Sequence, residues 1–174
     1  RLYINGEDKG VRILVEQLEE MTVRSNDIMP SDVYRGEAVG KDQFIGSEVT
    51  SLFDSSAIWD KIAVNNHYVS TSMKPLEKLI ELIQNENSEE AHKKLGHLLD
   101  LEAWAKFSAF EALTQSRHFS TLHNWRLLYD PWRQKMIPIV WDPVGWDKNW
   151  IPREGQKARN EIILHKLHRF LFKN

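Results

Sequence analysis

The chain has 174 residues, 41% of them hydrophobic and 28% charged, with a formal net charge of −2 and no cysteine. That length makes about one domain, able to bury roughly 70% of its unfolded surface. Without cysteine there is no disulfide, thiolate metal site or cysteine nucleophile, and interspersed charges with no basic block argue against nucleic acid or an anionic membrane surface as partner.

The chain opens at Arg1-Leu2-Tyr3-Ile4, already strand-like, with no initiator Met or signal peptide. Residues 2–4, 5–10 and 11–18 predict strand, turn and strand, followed by a short helix through Val23. Residues 25–72 are polar, with scattered Gly and Ser. An apolar patch at 57–64 interrupts them, where Trp59, Ile62 and Ala63 have the spacing of a helical turn. Residues 75–84 carry Leu76, Leu79, Ile80 and Ile83 at helical spacing behind Pro75 in the first turn. Asn87-Ser88-Glu89-Glu90 opens a second helix with Ala91, Leu95, Leu98 and Leu99 on one face. Asp100 reads as the N-cap of a third, over 101–114. Its apolar residues run nearly all round, which predicts a central buried helix.

After a loop over 115–123 comes the stretch of greatest chemical content. Residues 123–131, His-Asn-Trp-Arg-Leu-Leu-Tyr-Asp-Pro, are answered by 136–142, Met-Ile-Pro-Ile-Val-Trp-Asp. They read as two strands joined by a Pro-containing turn at 130–134. Folding about its midpoint sets Asn124 opposite Trp141, so that Asn124 and Asp142 meet at the open end. An amide oxygen and a carboxylate there make half of a hard-cation site of the kind that holds magnesium on nucleotide phosphates. A Trp-rich loop over 142–155 and a last helix from Gln156 follow. The chain stops at Phe170-Leu171-Phe172-Lys173-Asn174, still within an amphipathic pattern. Both ends look cut, so the expectation is a fragment of a longer protein whose localisation signal lies outside it. No apolar run approaches the ~20 residues of a membrane span, and the sequence leaves the oligomeric state open.

Each of these residues also has a plainer reading. Asn124 alone is a strand-initial Asn satisfying nearby backbone groups, and Asp142 alone is a turn carboxylate before Pro143. His118 and His123 bracket a loop, as surface residues, a zinc pair or a substitute base. Trp104 belongs to the core. Trp141, Trp146 and Trp150 either pack over the hairpin's open end or present a carbohydrate platform.

The order buried helix, loop, Asn, tight hairpin, Asp resembles the catalytic half of protein-kinase-like folds. More specifically, the chain resembles the spore-coat protein H (CotH) kinase family. The resemblance rests on Arg1-Leu2-Tyr3-Ile4-Asn5-Gly6 and Lys9-Gly10-Val11-Arg12-Ile13-Leu14-Val15-Glu16-Gln17, on Val33-Tyr34-Arg35-Gly36, and on the strand-turn-strand ending in Ile137-Pro138-Ile139-Val140-Trp141-Asp142. It implies an α+β, protein-kinase-like fold, with a mostly helical body and small antiparallel hairpins. Residues 1–174 would be a single domain fragment, 1–24 the remnant of an N-terminal sheet portion and 74–174 the helical catalytic-lobe portion.

By resemblance Asn124 and Asp142 are metal ligands, Glu16 is an acidic position able to pair with a phosphate-binding cation, and Arg35 stands where Lys is usual. Two departures matter. Phe119 falls where a catalytic Asp base is expected, with no Asp or Glu between Glu111 and Asp130, and Pro143-Val144 follows Asp142 where a second carboxylate is usual. His118 is then the candidate for orienting an acceptor hydroxyl. The implied activity is phosphotransfer to protein Ser/Thr hydroxyls with ATP and Mg²⁺ or Mn²⁺, in a secreted or cell-surface bacterial protein. The competing reading is a kinase-like binding or scaffold module of the cell surface or spore coat that has lost catalysis, because losing a general base removes about 10²–10⁴-fold in rate without removing nucleotide binding.

Overall fold

The computed structural model describes residues 1–12, 17–38, 40–41, 50–63, 72–85, 87–114 and 122–143. At the N-terminus β1 (Tyr3–Ile4) pairs with β2 (Glu7–Asp8) in register Tyr3↔Asp8. Asn5 and Gly6, at φ 51° and 82°, form the turn. Two successive left-handed residues match strand twist, which is why Asn-Gly is favoured there. The predicted turn over 5–10 is therefore shorter, and Val11, Arg12, Gln17 and Leu18 are not in a strand. The short helix expected through Val23 is α1 (Glu20–Ser25).

The scaffold is a four-stranded antiparallel sheet in the order β4-β3-β5-β6, with β3 Asp32–Gly36, β4 Trp59–Ala63, β5 Trp125–Asp130 and β6 Lys135–Pro138. The hairpin β5–β6 has the register expected of it, Leu127↔Pro138 through Asp130↔Lys135. In its turn the Asp130 carboxylate accepts from the backbone N–H groups of Trp132 and Arg133 at 2.9 and 3.2 Å. The hairpin does not stand alone, however. Residues 32–36 and 59–63, in the stretch least legible from sequence, extend it into a sheet.

Residues 59–63 form a strand, not the helical turn expected there. Val33 pairs with Ala63 and Tyr34 with Lys61, so Ile62 is an extra residue in a β-bulge. The bulge sets Ile62 and Ala63 in succession against one cluster with Val33 and Leu128. That breaks the two-residue period and imitates helical spacing.

One sheet face carries Tyr34, Trp59, Trp125, Leu127 and Met136 into the main core. It is covered by α2 (Lys74–Gln84), α3 (Glu89–Leu98) and α4 (Leu101–Thr114). These helices lie where periodicity put them. The Ser88 hydroxyl caps α3 by accepting from Ala91 N–H at 3.4 Å, and Asp100 caps the start of α4 by accepting from Ala103 N–H at 3.2 Å. α4 is not buried all round. Trp104, Phe107, Ser108 and Glu111 make its buried stripe at i, i+3, i+4, i+7, while Leu101 and Leu113 are exposed. Outward Ala and Leu gave it a uniformly apolar look.

Gly36 sits where β3 crosses the core. A Cβ there would lie 2.8 Å from the Trp59 ring and 2.9 Å from Leu52. Gly36→Ala is therefore expected to destabilise the fold by about 1–3 kcal/mol through overpacking, read as a lower urea midpoint. An unchanged midpoint would mean the Trp59 ring gives way freely.

Candidate functional site

The second sheet face is different in character. Its buried apolar part, Val33, Ala63 and Leu128 with Val23 of α1, lies toward the hairpin turn, with Ile62 and Ile139 reaching the level of Arg126. Toward the open end the same strands place Arg35 directly opposite Arg126. Like charges facing each other across a ladder are destabilising, so each needs a compensating environment. The Arg35 guanidinium donates to Asp60 on β4, with Nη2 to Oδ2 at 2.8 Å, and the Lys41 ammonium holds the other Asp60 oxygen at 3.1 Å. Arg126 is only 7% exposed. It donates to the Trp125 carbonyl at 2.8 Å and lies 4.9 Å from the centre of the Trp141 ring, a cation–π contact. Burial, then the charge of Arg35, push the Arg126 guanidinium below its usual range, with Glu37, Asp142 and Asp60 opposing.

The open end of the hairpin lies beside this pair. The ladder continues through the 2.9 Å bond from Ile139 N–H to the Arg126 carbonyl, two residue pairs short of Asn124 and Trp141. Asn124 and Asp142, where the chain enters β5 and leaves β6, both have left-handed backbone, φ 63° and 46°. Asn and Asp tolerate that conformation better than other side-chain-bearing residues, a backbone reason for their identity alongside any chemical one. Asn124 is 6% exposed, whereas Asp142 is open to solvent. Next to them the His123 Nδ1 meets the Glu37 carboxylate at 2.6 Å, and Ala38 N–H donates to the Leu122 carbonyl at 3.0 Å, tying the exit of β3 to the approach of β5.

Arg35, Arg126 and Trp141 with Leu18 and Glu19 line a groove of about 330 Å³. Leu18 and Glu19 also border a larger, mainly apolar groove of about 670 Å³ between α1 and the sheet, walled by Val23, Val33, Leu128 and Ile139.

Of the residues singled out from sequence, Arg35 lies on this face, while Asn124 precedes β5 and Asp142 follows β6 at the same end of the sheet. Glu16, His118 and Phe119 lie outside the described residues. Arg126, Asp60, Lys41 and Glu37 were missed. Arg126 did carry a signal, being a charged residue between Trp125 and Leu127 in an otherwise apolar strand. A model of the CotH kinase protein family matches residues 1–172. The chain belongs to the CotH kinase family. No curated protein and no solved structure gives a match.

In this CotH-family chain the donors fit a hard cation in kind: a carboxylate and a carboxamide oxygen, with no sulfur. Among the described residues no three His, Asp or Glu side chains converge into a metal cage. A cation held here would thus share its coordination with phosphate oxygens and water, as magnesium commonly does.

Asp60 gives a pH prediction. Burial raises its pKa, but hydrogen bonds from Arg35 and Lys41 outweigh this and hold it below the usual carboxylate range. A depressed folded pKa contributes stability that is complete above the unfolded value, about 3.9, and is lost as pH falls through the folded one. The urea midpoint of the parent should therefore exceed that of Asp60→Asn at pH 7, by a modest amount because the pair is partly exposed. The gap should narrow as pH falls from about 4 through the depressed folded pKa, and a gap that does not change with pH would assign the effect to packing.

Proposed function

We propose that this face binds a nucleoside triphosphate and a divalent cation, and that the chain is an ATP- and Mg²⁺- or Mn²⁺-dependent phosphotransferase of CotH type acting on protein Ser/Thr hydroxyls. The observation that carries the reading is the Arg35–Arg126 pair set beside the Asn124/Asp142 end. Two facing cations, one of them buried, make an environment that an anion relieves. The order along the sheet suits a nucleotide. The apolar groove at Leu128 takes the base, Arg126 two residues on takes the phosphates at about 6.8 Å along the strand, and Asn124 follows at the strand's start.

In this reading Arg35 and Arg126 orient the phosphate chain by charge-assisted hydrogen bonds. Asn124 and Asp142 offer oxygen ligands to the cation, whose role when bound is to neutralise charge on the transferring phosphoryl group. The group passes from the β-phosphate bridging oxygen to the acceptor hydroxyl oxygen, releasing ADP and the hydroxyl proton. His118 is proposed to orient that hydroxyl, and Glu16 to pair with a phosphate-binding cation. Positioning and charge supply most of the rate in such transfers, which leaves room for slow catalysis with Phe119 at the usual base position. The protein is proposed to work at a bacterial cell surface or be secreted.

The test is thermal unfolding with ATP, with Mg²⁺ or Mn²⁺, and with both, for the parent and for Asp142→Asn, which keeps the left-handed backbone and removes the charge. Saturation at ~100 Kd adds about 2.7 kcal/mol, a shift of several degrees at this size. A metal-dependent ATP shift lost in Asp142→Asn supports the site, and absence of any shift in the parent overturns it. A shift without phosphate transfer to any protein would select the second reading, a nucleotide-binding scaffold, which Phe119 favours.

A further inference from the structure

At the opposite end of the sheet the hairpin turn meets α2 and α3 around a groove of about 450 Å³. Its wall has no acidic residue. It presents Lys78 from α2, Lys94 and His97 from α3, Arg133 from the turn and Lys135 at the start of β6, with Trp132 60% exposed at its rim. Some of this charge has internal uses. The Lys135 ammonium donates to the carbonyls of His97 and Leu99 at 2.6 and 3.2 Å, neutralising the end of α3. Lys94 pairs with Glu90 at 2.6 Å and Arg133 with Asp100 at 2.7 Å. Those two acids each pair with one of four fixed cations, Glu81 of α2 also acts on Lys94 from further away, and both Lys94 and Arg133 are exposed enough to turn toward a ligand. Lys78 lies on the outer side of α2, facing solvent.

We propose that this groove docks a short acidic peptide segment carrying phosphorylated hydroxyls, with Trp132 covering its backbone. Excess positive charge at a concave wall attracts and orients a dianionic group. The cavity exceeds the size of one phosphate, and the aromatic rim suits a side chain or peptide plane. Three steps of β5 separate Arg126 from Tyr129 in the groove's wall, about 10 Å along the strand, and alternation sets the two on opposite faces of the sheet. A tethered partner would thus be held away from the nucleotide face, not within it. The inference rests on the groove's own charge and stands whether or not phosphotransfer does.

The experiment is anisotropy of a labelled peptide of about twelve residues with two phosphoserines, titrated with the full chain at low and at physiological salt. The unphosphorylated peptide and a single-stranded DNA of equal charge run beside it. Lys78→Glu/Lys94→Glu, both on exposed helix surfaces, should keep helical circular dichroism and weaken the phosphopeptide at least tenfold. Arg126→Met should leave that affinity unchanged. The unphosphorylated peptide should bind at least tenfold more weakly, and added salt should weaken binding of the phosphopeptide. The proposal is overturned if the parent binds no phosphopeptide, if the double variant binds as the parent does, or if Arg126→Met abolishes binding. DNA binding as tightly as the phosphopeptide would also overturn it and assign the groove to nucleic acid.

Discussion

Replacing Arg126 by Met is expected to weaken ATP about ten- to a hundredfold while leaving the folded state as stable as before, or more so. The two effects separate because the guanidinium, in the proposed site, holds the phosphates but is a burden to the fold by itself. It is 7% exposed, and burial with Arg35 opposite has already pushed its pKa down. Exchanging such a buried charge for a hydrophobe of similar length is often neutral or stabilising. A hydrogen bond to a charged partner is worth about 1.5–3 kcal/mol, and each 1.4 kcal/mol is tenfold in affinity. Paired urea denaturation and nucleotide titration read both quantities on one preparation. Unchanged affinity would remove Arg126 from the phosphate site. A stability loss of several kcal/mol would instead make its contacts to the Trp125 carbonyl and the Trp141 ring structural.

Trp104→Ala should cost about 3–5 kcal/mol, the range for emptying a large aromatic from a core and a large fraction of the 5–15 kcal/mol typical of a domain. Trp104 is fully buried, 6.0 Å from Phe107 and 6.1 Å from Trp125 between ring centres, and its indole N–H donates to the Met136 carbonyl at 2.9 Å. One side chain therefore fastens α4 to both β5 and β6. Trp104→Phe discriminates packing from the hydrogen bond. Asp100 N–H also donates to the Met136 carbonyl, at 3.2 Å, so that oxygen keeps a partner when the indole is gone. Phe should accordingly cost clearly less than Ala in equilibrium urea unfolding. Equal losses would sink the packing account.

The legible parts of this chain were those in which local chemistry and tertiary fold agree. Pro131 and Asp130 set the turn, the midpoint of that turn set the β5–β6 register, and Pro75, Ser88 and Asp100 marked where three helices begin. The sheet's other half was hidden because its signals are not local. β3 is named by five residues whose partners lie about ninety positions on, and the bulge at Ile62 disguised β4 as a helix. For the candidate site, Asn124 and Asp142 were singled out from the hairpin's open end and Arg35 from motif resemblance. Asp60 and Lys41 escaped because neither belongs to any motif. Only the fold brings them to Arg35.

The strand order β4-β3-β5-β6 also bears on how the molecule comes into being. When β3 and β4 leave the ribosome, the edge of β3 that will receive β5 has no mate until some sixty further residues are made, roughly 3–12 s at cellular elongation rates. During that wait a bare strand edge with Val33 and Tyr34 is open to pairing with another chain. Contacts this distant in sequence make for slow folding, and Arg35 does not meet Arg126 until the closure is complete. The nascent chain should therefore lean on holdase chaperones in that interval, and its yield should fall when they are depleted.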